Sequence, residues 1–125
     1  MIFDTDVLIW AVRGSPQAAR AIEAAENRAL SIVSFMELLQ GARSKLEGGR
    51  IRQSLRQLGF EILPLSAPIG AAAAAIIEQH ALAHGIQLAD ALIAATAIQS
   101  GLTLYTGNVR HFRAIRNLSL KAFRP

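Results

Sequence analysis

The chain has 125 residues and a mass of 13.4 kDa, the length of one ordinary domain. It is 52% hydrophobic and 18% charged, so it can bury a core and lacks the composition of a disordered tail. Thirteen Lys and Arg against nine Asp and Glu leave a net charge of +4, which favours polyanionic partners; with no cysteine, a disulfide scaffold, a thiolate zinc site and a cysteine nucleophile are excluded.

The mean hydropathy of +0.32 raises the question of a membrane. The longest uncharged stretch, Ala91 to Val109, has 19 residues, enough by length to span a bilayer. Polar and glycine residues at Gln99-Ser100-Gly101-Leu102-Thr103 break it, which reads as a helix end followed by a strand. Met1-Ile2-Phe3-Asp4 meets a carboxylate with no basic segment before it, so no export signal is expected. The chain reads as soluble and cytoplasmic, with no membrane partner.

Short apolar runs of β type alternate with helical patterns throughout. Ile2-Phe3 opens a first strand that ends at Asp4, and Ser15-Pro16 then caps and starts a helix to about Asn27. Leu30 to Val33 reads as a second strand, with Ser34 capping a helix to about Ala42. A basic helix around Arg50 to Leu58 precedes a third strand, Phe60 to Leu63. After Pro68 an alanine-rich helix runs to Gly85, another spans Leu88 to Ser100, and a strand covers Leu102 to Tyr105. A short helix from Asn108 and a weak strand from Leu118 to Phe123 complete the pattern. This alternation predicts an α/β fold, a mostly parallel sheet with helices on both faces, and a ligand site beyond the carboxyl ends of the strands.

Asp4, Glu37, Asp90 and Asn108 fall at such positions, with Asp6 two residues beyond Asp4. Each has a structural explanation. Ser34-Phe35-Met36-Glu37 has the spacing of a capping box, and Asp4, Asp6, Asp90 and Asn108 can each support a helix start. Asp90 strains that explanation. It lies in Leu88-Ala89-Asp90-Ala91-Leu92-Ile93, with no Lys or Arg within ten residues on either side. A carboxylate taken from water without a partner is costly. A metal ion would serve Asp90, Asp4 and Glu37 together, and oxygen donors without thiolates suit Mg²⁺ or Mn²⁺.

Four segments, Phe3-Asp4-Thr5-Asp6-Val7-Leu8-Ile9, Ser34-Phe35-Met36-Glu37-Leu38, Asp90-Ala91-Leu92-Ile93-Ala94-Ala95-Thr96-Ala97 and Thr106-Gly107-Asn108-Val109-Arg110-His111-Phe112, resemble the successive motifs of PIN-domain proteins, and most closely the VapC-type toxins of type II toxin–antitoxin pairs. The likeness runs along the whole chain in order. It implies a single PIN-like domain over residues 1–125, a three-layer α/β/α fold with a central, mostly parallel five-stranded sheet, and the strand order 3-2-1-4-5. It also implies a Mg²⁺- or Mn²⁺-dependent endoribonuclease in which Asp4, Glu37 and Asp90 match the core acidic residues. Asn108 falls where many relatives carry a fourth Asp; Thr106 matches a small hydroxyl residue beside the site; Asp6 occupies a variable polar position. Implied partners are RNA as substrate, a cognate VapB-type antitoxin that inhibits the toxin, a second copy in a homodimer, and DNA only through the antitoxin.

The basic residues are clustered. Arg43, Lys45, Arg50, Arg52 and Arg56 against Glu47 give +4 over fourteen residues, equally well read as a solvated helix face. Arg110 and Arg113 follow Asn108 closely enough to reach phosphates flanking a cut. His80 and His84 have the i, i+4 spacing of a helix-borne metal pair, but without a third ligand nearby they read as ordinary surface or boundary residues. Trp10, Phe35 and Phe112 read as core or interface residues. Two rival readings compete: a PIN-like scaffold that binds RNA or an antitoxin without cutting, and a phosphatase of the haloacid-dehalogenase type, suggested by Asp4-Thr5-Asp6-Val7. The second wants a catalytic Lys, and no Lys lies between Lys45 and Lys121.

Overall fold

The strands are short and carry apolar residues toward both faces, as a sheet covered on both sides requires. A computed structural model describes residues 1–125. In chain order the elements are β1 (Ile2–Phe3), α1 (Thr5–Val12), α2 (Pro16–Ala24), β2 (Ala29–Ser31), α3 (Ile32–Gln40), α4 (Lys45–Gln57), β3 (Glu61–Leu63), α5 (Ala67–His84), α6 (Leu88–Ser100), β4 (Leu104–Thr106), α7 (Val109–Phe112) and β5 (Leu120–Ala122). The five strands form one sheet in the order β3-β2-β1-β4-β5, and every pairing is parallel. The α/β class, the five strands and the order 3-2-1-4-5 are as the sequence and its resemblance implied.

Alternation along β1 separates two apolar layers. Ile2 belongs to the core beneath α5, α6 and α7, with Ile69, Ile76, Ile93, Leu104 and Phe112. Phe3 belongs to the opposite core with Val7, Ile22, Phe35, Leu55 and Phe123. The sheet therefore lies between two helical layers, with α3 contributing Val33 to one core and Phe35 and Leu38 to the other. Phe35 and Phe112 are buried, whereas Trp10 is 39% exposed.

Several local expectations are corrected. The segment after Asp4 is helical from Thr5 to Val12; its continuous apolar run hid a helix whose start is marked by Asp4 itself, the N-cap. The second strand ends at Ser31, and Ser31, not Ser34, caps α3: its side chain accepts from the Val33 amide at 3.0 Å. Ser34 is inside the helix, fully buried. The basic helix starts five residues earlier than Arg50, at Lys45 behind the cap Ser44. Helix α2 stops at Ala24, β4 starts two residues after Leu102 and ends at Thr106, and β5 is trimmed at both ends. Gly85 and Gly101 end α5 and α6 in the left-handed conformation, at φ 63° and 66°, where glycine avoids the Cβ penalty. No helix is long and apolar enough to cross a membrane.

Candidate active site at the carboxyl ends of β1 and β4

Because β1 is the central strand, with β2 and β4 as its parallel neighbours, the chain leaves the sheet at one end on three adjacent strands. Asp4 follows β1, Ser31 closes β2 and leads directly into α3, and Thr106 closes β4. This is the crevice where connections diverge to opposite sides of the sheet.

Asp4 sits deepest, 6% exposed. Its Oδ1 accepts from the Thr5 amide at 2.8 Å, and its Oδ2 accepts from the Thr106 hydroxyl at 2.7 Å. The Thr106 oxygen in turn accepts from the Asn108 amide at 2.9 Å. Burial pushes the Asp4 carboxyl up to about 7, and the negative charge of Asp6 pushes in the same direction. The bonds from Thr106 and Thr5 pull it down without cancelling the rise, and the Asp90 charge adds to it. Asp6, in the first turn of α1, takes the Val7 amide on Oδ1 at 2.7 Å and the Gly107 amide on Oδ2 at 3.0 Å. Its pKa is raised as well, by burial first, with the Asp90 charge adding, against the lowering by those amide bonds. The approach of Gly107 is close: a Cβ there would lie 2.8 Å from Asp6 Oδ2.

Glu37 comes from α3. Its Oε1 accepts from the Thr5 hydroxyl at 2.7 Å, and the Thr5 and Ser34 hydroxyls are hydrogen-bonded at 2.9 Å. The capping-box spacing thus served another end: Glu37 is held by Thr5 rather than turned back to the Ser34 amide. Asp90 lies in the first turn of α6, its side chain 23% exposed, with Oδ2 at 3.6 Å from His111 Nδ1 on α7. Thr5 and His111 were not singled out in the sequence, and Ser34 was read there only as a cap. Thr5 and Ser34 look like ordinary helix-start residues, and His111 lies one turn past Asn108 in a helix of only four residues.

Asn108 is the N-cap residue of α7 but makes no side-chain capping bond, which leaves its amide group to the surface. With Arg110, Gly107 and Arg124 it lines a shallow groove of about 400 Å³; Arg113 lies outside that groove. Beside Glu37, a second groove of about 460 Å³ carries Arg13, Arg43 and Glu47 along α1, α3 and α4. His80 and His84 are far along α5 with rings 5.4 Å apart, and belong to neither groove.

The donors around Asp4 are carboxylate oxygens, and the mutual influence of Asp4, Asp6 and Asp90 is the repulsion that a bound cation relieves. Their chemistry fits a hard divalent ion. As they stand, no three acidic or imidazole side chains are drawn together as a ligand set.

The sequence model of the PIN domain matches residues 1–118. The chain belongs to the PIN-domain family. Among the relatives of this PIN domain, a Mycobacterium tuberculosis protein named Ribonuclease VapC10 is 34% identical over 123 residues, covering 94% of this chain and 90% of that protein. A chain of a toxin–antitoxin complex from Klebsiella pneumoniae superposes with a TM-score of 0.79 at 31% identity, covering 94% of this PIN domain and 93% of that chain. A chain of the Rickettsia felis VapBC2 complex bound to a promoter DNA fragment shares the fold, with a TM-score of 0.83 at 24% identity, covering 99% and 100% of the two chains.

Proposed function

We propose that this chain is a Mg²⁺- or Mn²⁺-dependent endoribonuclease, the toxin of a VapBC-type toxin–antitoxin pair acting in the cytoplasm. The observation that carries the reading is Asp4: a carboxyl at the end of the central strand whose pKa is raised first by burial and then by the charge of Asp6, and which Thr106 orients. Kinship with a protein named as a ribonuclease supplies the reaction class. Asp4 and Asp90, with Glu37, would hold the ion, and Asp6 lies beside them. When bound, a divalent ion lowers the pKa of water and offsets charge on a phosphodiester. Glu37 has Oε1 held by Thr5, which leaves Oε2 either to ligate the ion directly or to orient water and take its proton. Water oxygen bonds to phosphorus as the bond to the 3′ oxygen breaks, and that oxygen takes up a proton from solvent, leaving a 5′-phosphate and a 3′-hydroxyl. Asn108 offers an amide in place of a fourth charge, and Arg110 and Arg113 contact flanking phosphates.

Partner readings follow the same line. The groove beside Glu37 continues into an apolar one of about 550 Å³ lined by Leu8, Val12, Ile51 and Leu55, a seat for the cognate antitoxin. A homodimer would cover exposed apolar side chains such as Trp10 and Met36. DNA is reached only through the antitoxin.

The deciding experiment is cleavage of cellular RNA by the purified chain under Mn²⁺ or Mg²⁺ titration. The expected result is metal-dependent cutting that vanishes in Asp4→Ala and Asp90→Ala while both variants keep the wild-type circular dichroism. Full activity in either variant overturns the site. Metal-independent antitoxin binding with no cutting under any ion would instead make the chain a binding module, the reading favoured by neutral Asn108 and the open arrangement of acids.

A further inference from the structure

Helix α4 has a polar face that the acidic centre does not use. Gly49, Arg52, Gln53 and Arg56 recur at i, i+3, i+4 and i+7, so they share one side of the helix. With Gln57 they line a groove of about 390 Å³ that contains no apolar residue. Gly49 and Arg52 also line the adjoining groove of about 430 Å³, together with Arg43, Lys45 and Gly48 and with Leu39 and Ala42 as its apolar members. The two grooves thus form one trough along α4.

Three features give that trough a purpose. First, two of its cations are unpaired: Arg43 is matched by Glu47 and His111 by Asp90, but Arg52 and Arg56 have no carboxylate within 4.0 Å. Second, Arg52 is pre-positioned. Its Cζ lies 4.7 Å from the centroid of the buried Phe35 ring on α3, so the guanidinium is anchored against the helix that also carries Glu37. Third, Gly49 is inside a helix, where glycine costs about 1 kcal/mol relative to alanine. Packing does not demand it, because a Cβ built there meets nothing within 4 Å. The missing side chain leaves the floor of the trough open to something that approaches from outside.

Resting on the ribonuclease reading above, we propose that this face of α4, with Arg52 and Arg56 as its cationic contacts and Gly49 as its open floor, carries the sugar–phosphate backbone of the RNA substrate beyond the scissile bond. A protein partner would gain little apolar burial here, since Leu39 and Ala42 are the trough's only apolar lining and the Gly49–Gln57 end offers guanidinium, amide and bare backbone. A phosphate chain matches all three.

The test is binding of poly(U) RNA to the intact protein in a chelator, which silences cutting, over a range of salt concentrations. Each phosphate contact on a single strand contributes about 0.7 to the slope of log affinity against log salt, so Arg52→Gln/Arg56→Gln should lower it by about 1.4. Arg52→Lys should restore its share of the slope. Gly49→Leu, which fills the trough without touching the core, should weaken binding while its melting temperature holds or rises. A wild-type protein that shows no salt-dependent binding of poly(U) defeats the ribonuclease reading itself. Normal wild-type binding with an unchanged slope in the Arg52 and Arg56 variants defeats the trough alone. Poly-glutamate bound through Arg52 and Arg56, with RNA indifferent to them, would assign the face to an acidic protein instead.

Discussion

Asp4 binds its proton more tightly in the folded chain than in the unfolded one, about 7 against 3.8. Between those values the folded state carries more protons, so stability is fully present at low pH and is lost as the pH rises through 7. The loss is on the order of 4 kcal/mol for a shift of that size. In a chelator, the melting temperature should therefore fall from pH 5 to pH 8. Asp4→Asn, which keeps an acceptor for Thr5 and a partner for Thr106, should flatten that fall and be the more stable protein at pH 8 while losing cleavage. A wild-type melting temperature that rises over the same range would contradict the burial argument. Gly107 offers a second test. A methyl group there would stand 2.8 Å from Asp6 Oδ2, and the end of a side chain can yield. Gly107→Ala should keep the fold, turn Asp6 out of its bond to the 107 amide, and raise the Mn²⁺ concentration needed for half-maximal cleavage. An unchanged metal requirement would leave Asp6 a purely structural acceptor.

At the scale of elements, the caps decide what the sequence disclosed. Ser15 before Pro16 starts α2, and Gly85 and Gly101 end α5 and α6, so these boundaries were legible from punctuation; Ser44 and Ser66 cap α4 and α5 earlier than Arg50 and Pro68 suggested. Helix α1 was not, because eight residues dominated by Val, Leu, Ile and Trp lack a polar face. Helix α3 was misplaced by three residues because Ser31 and Ser34 are both plausible caps, and Glu37 lies three beyond Ser34. Only the length of β2 separates the two. Ser31→Ala should cost about 1 kcal/mol, since the buried Val33 amide loses its acceptor. Ser34→Ala should disturb Thr5 and Glu37 instead, lowering cleavage more than its stability would suggest. Urea unfolding alongside activity separates the two serines; equal effects in both assays would revive Ser34 as the cap.

Across the whole molecule, the order 3-2-1-4-5 gathers residues that the sequence could place at strand ends but not against one another. Asp4, Asp90 and Asn108 were legible as candidates from their positions; that Asp90 faces His111, and that Thr5 reaches Glu37, depends on helix packing that no local pattern encodes. The edge strand β5 matters to the same assembly. Phe123, 4% exposed, seats its ring 5.7 Å from Tyr105, whose ring lies 5.6 Å from Phe3 on β1. Phe123→Ala should destabilise the fold by about 3–5 kcal/mol, measured by chemical denaturation, with cleavage per folded molecule unchanged. A loss below 1 kcal/mol would show β5 to be a dispensable fringe.

The bond from Thr106 to Asp4 closes across 102 positions of sequence. During synthesis, β1 therefore waits for its partner β4 until almost the whole described chain has been made, and contacts of such separation are slow to form. A ribosome-bound fragment ending before residue 104 carries Asp4, Glu37 and Asp90 but lacks the strand that pins Asp4 in place. The acidic side chains at the carboxyl ends of the strands are thus all made before the hydroxyl that orients Asp4, and the geometry around Asp4 waits on residue 106.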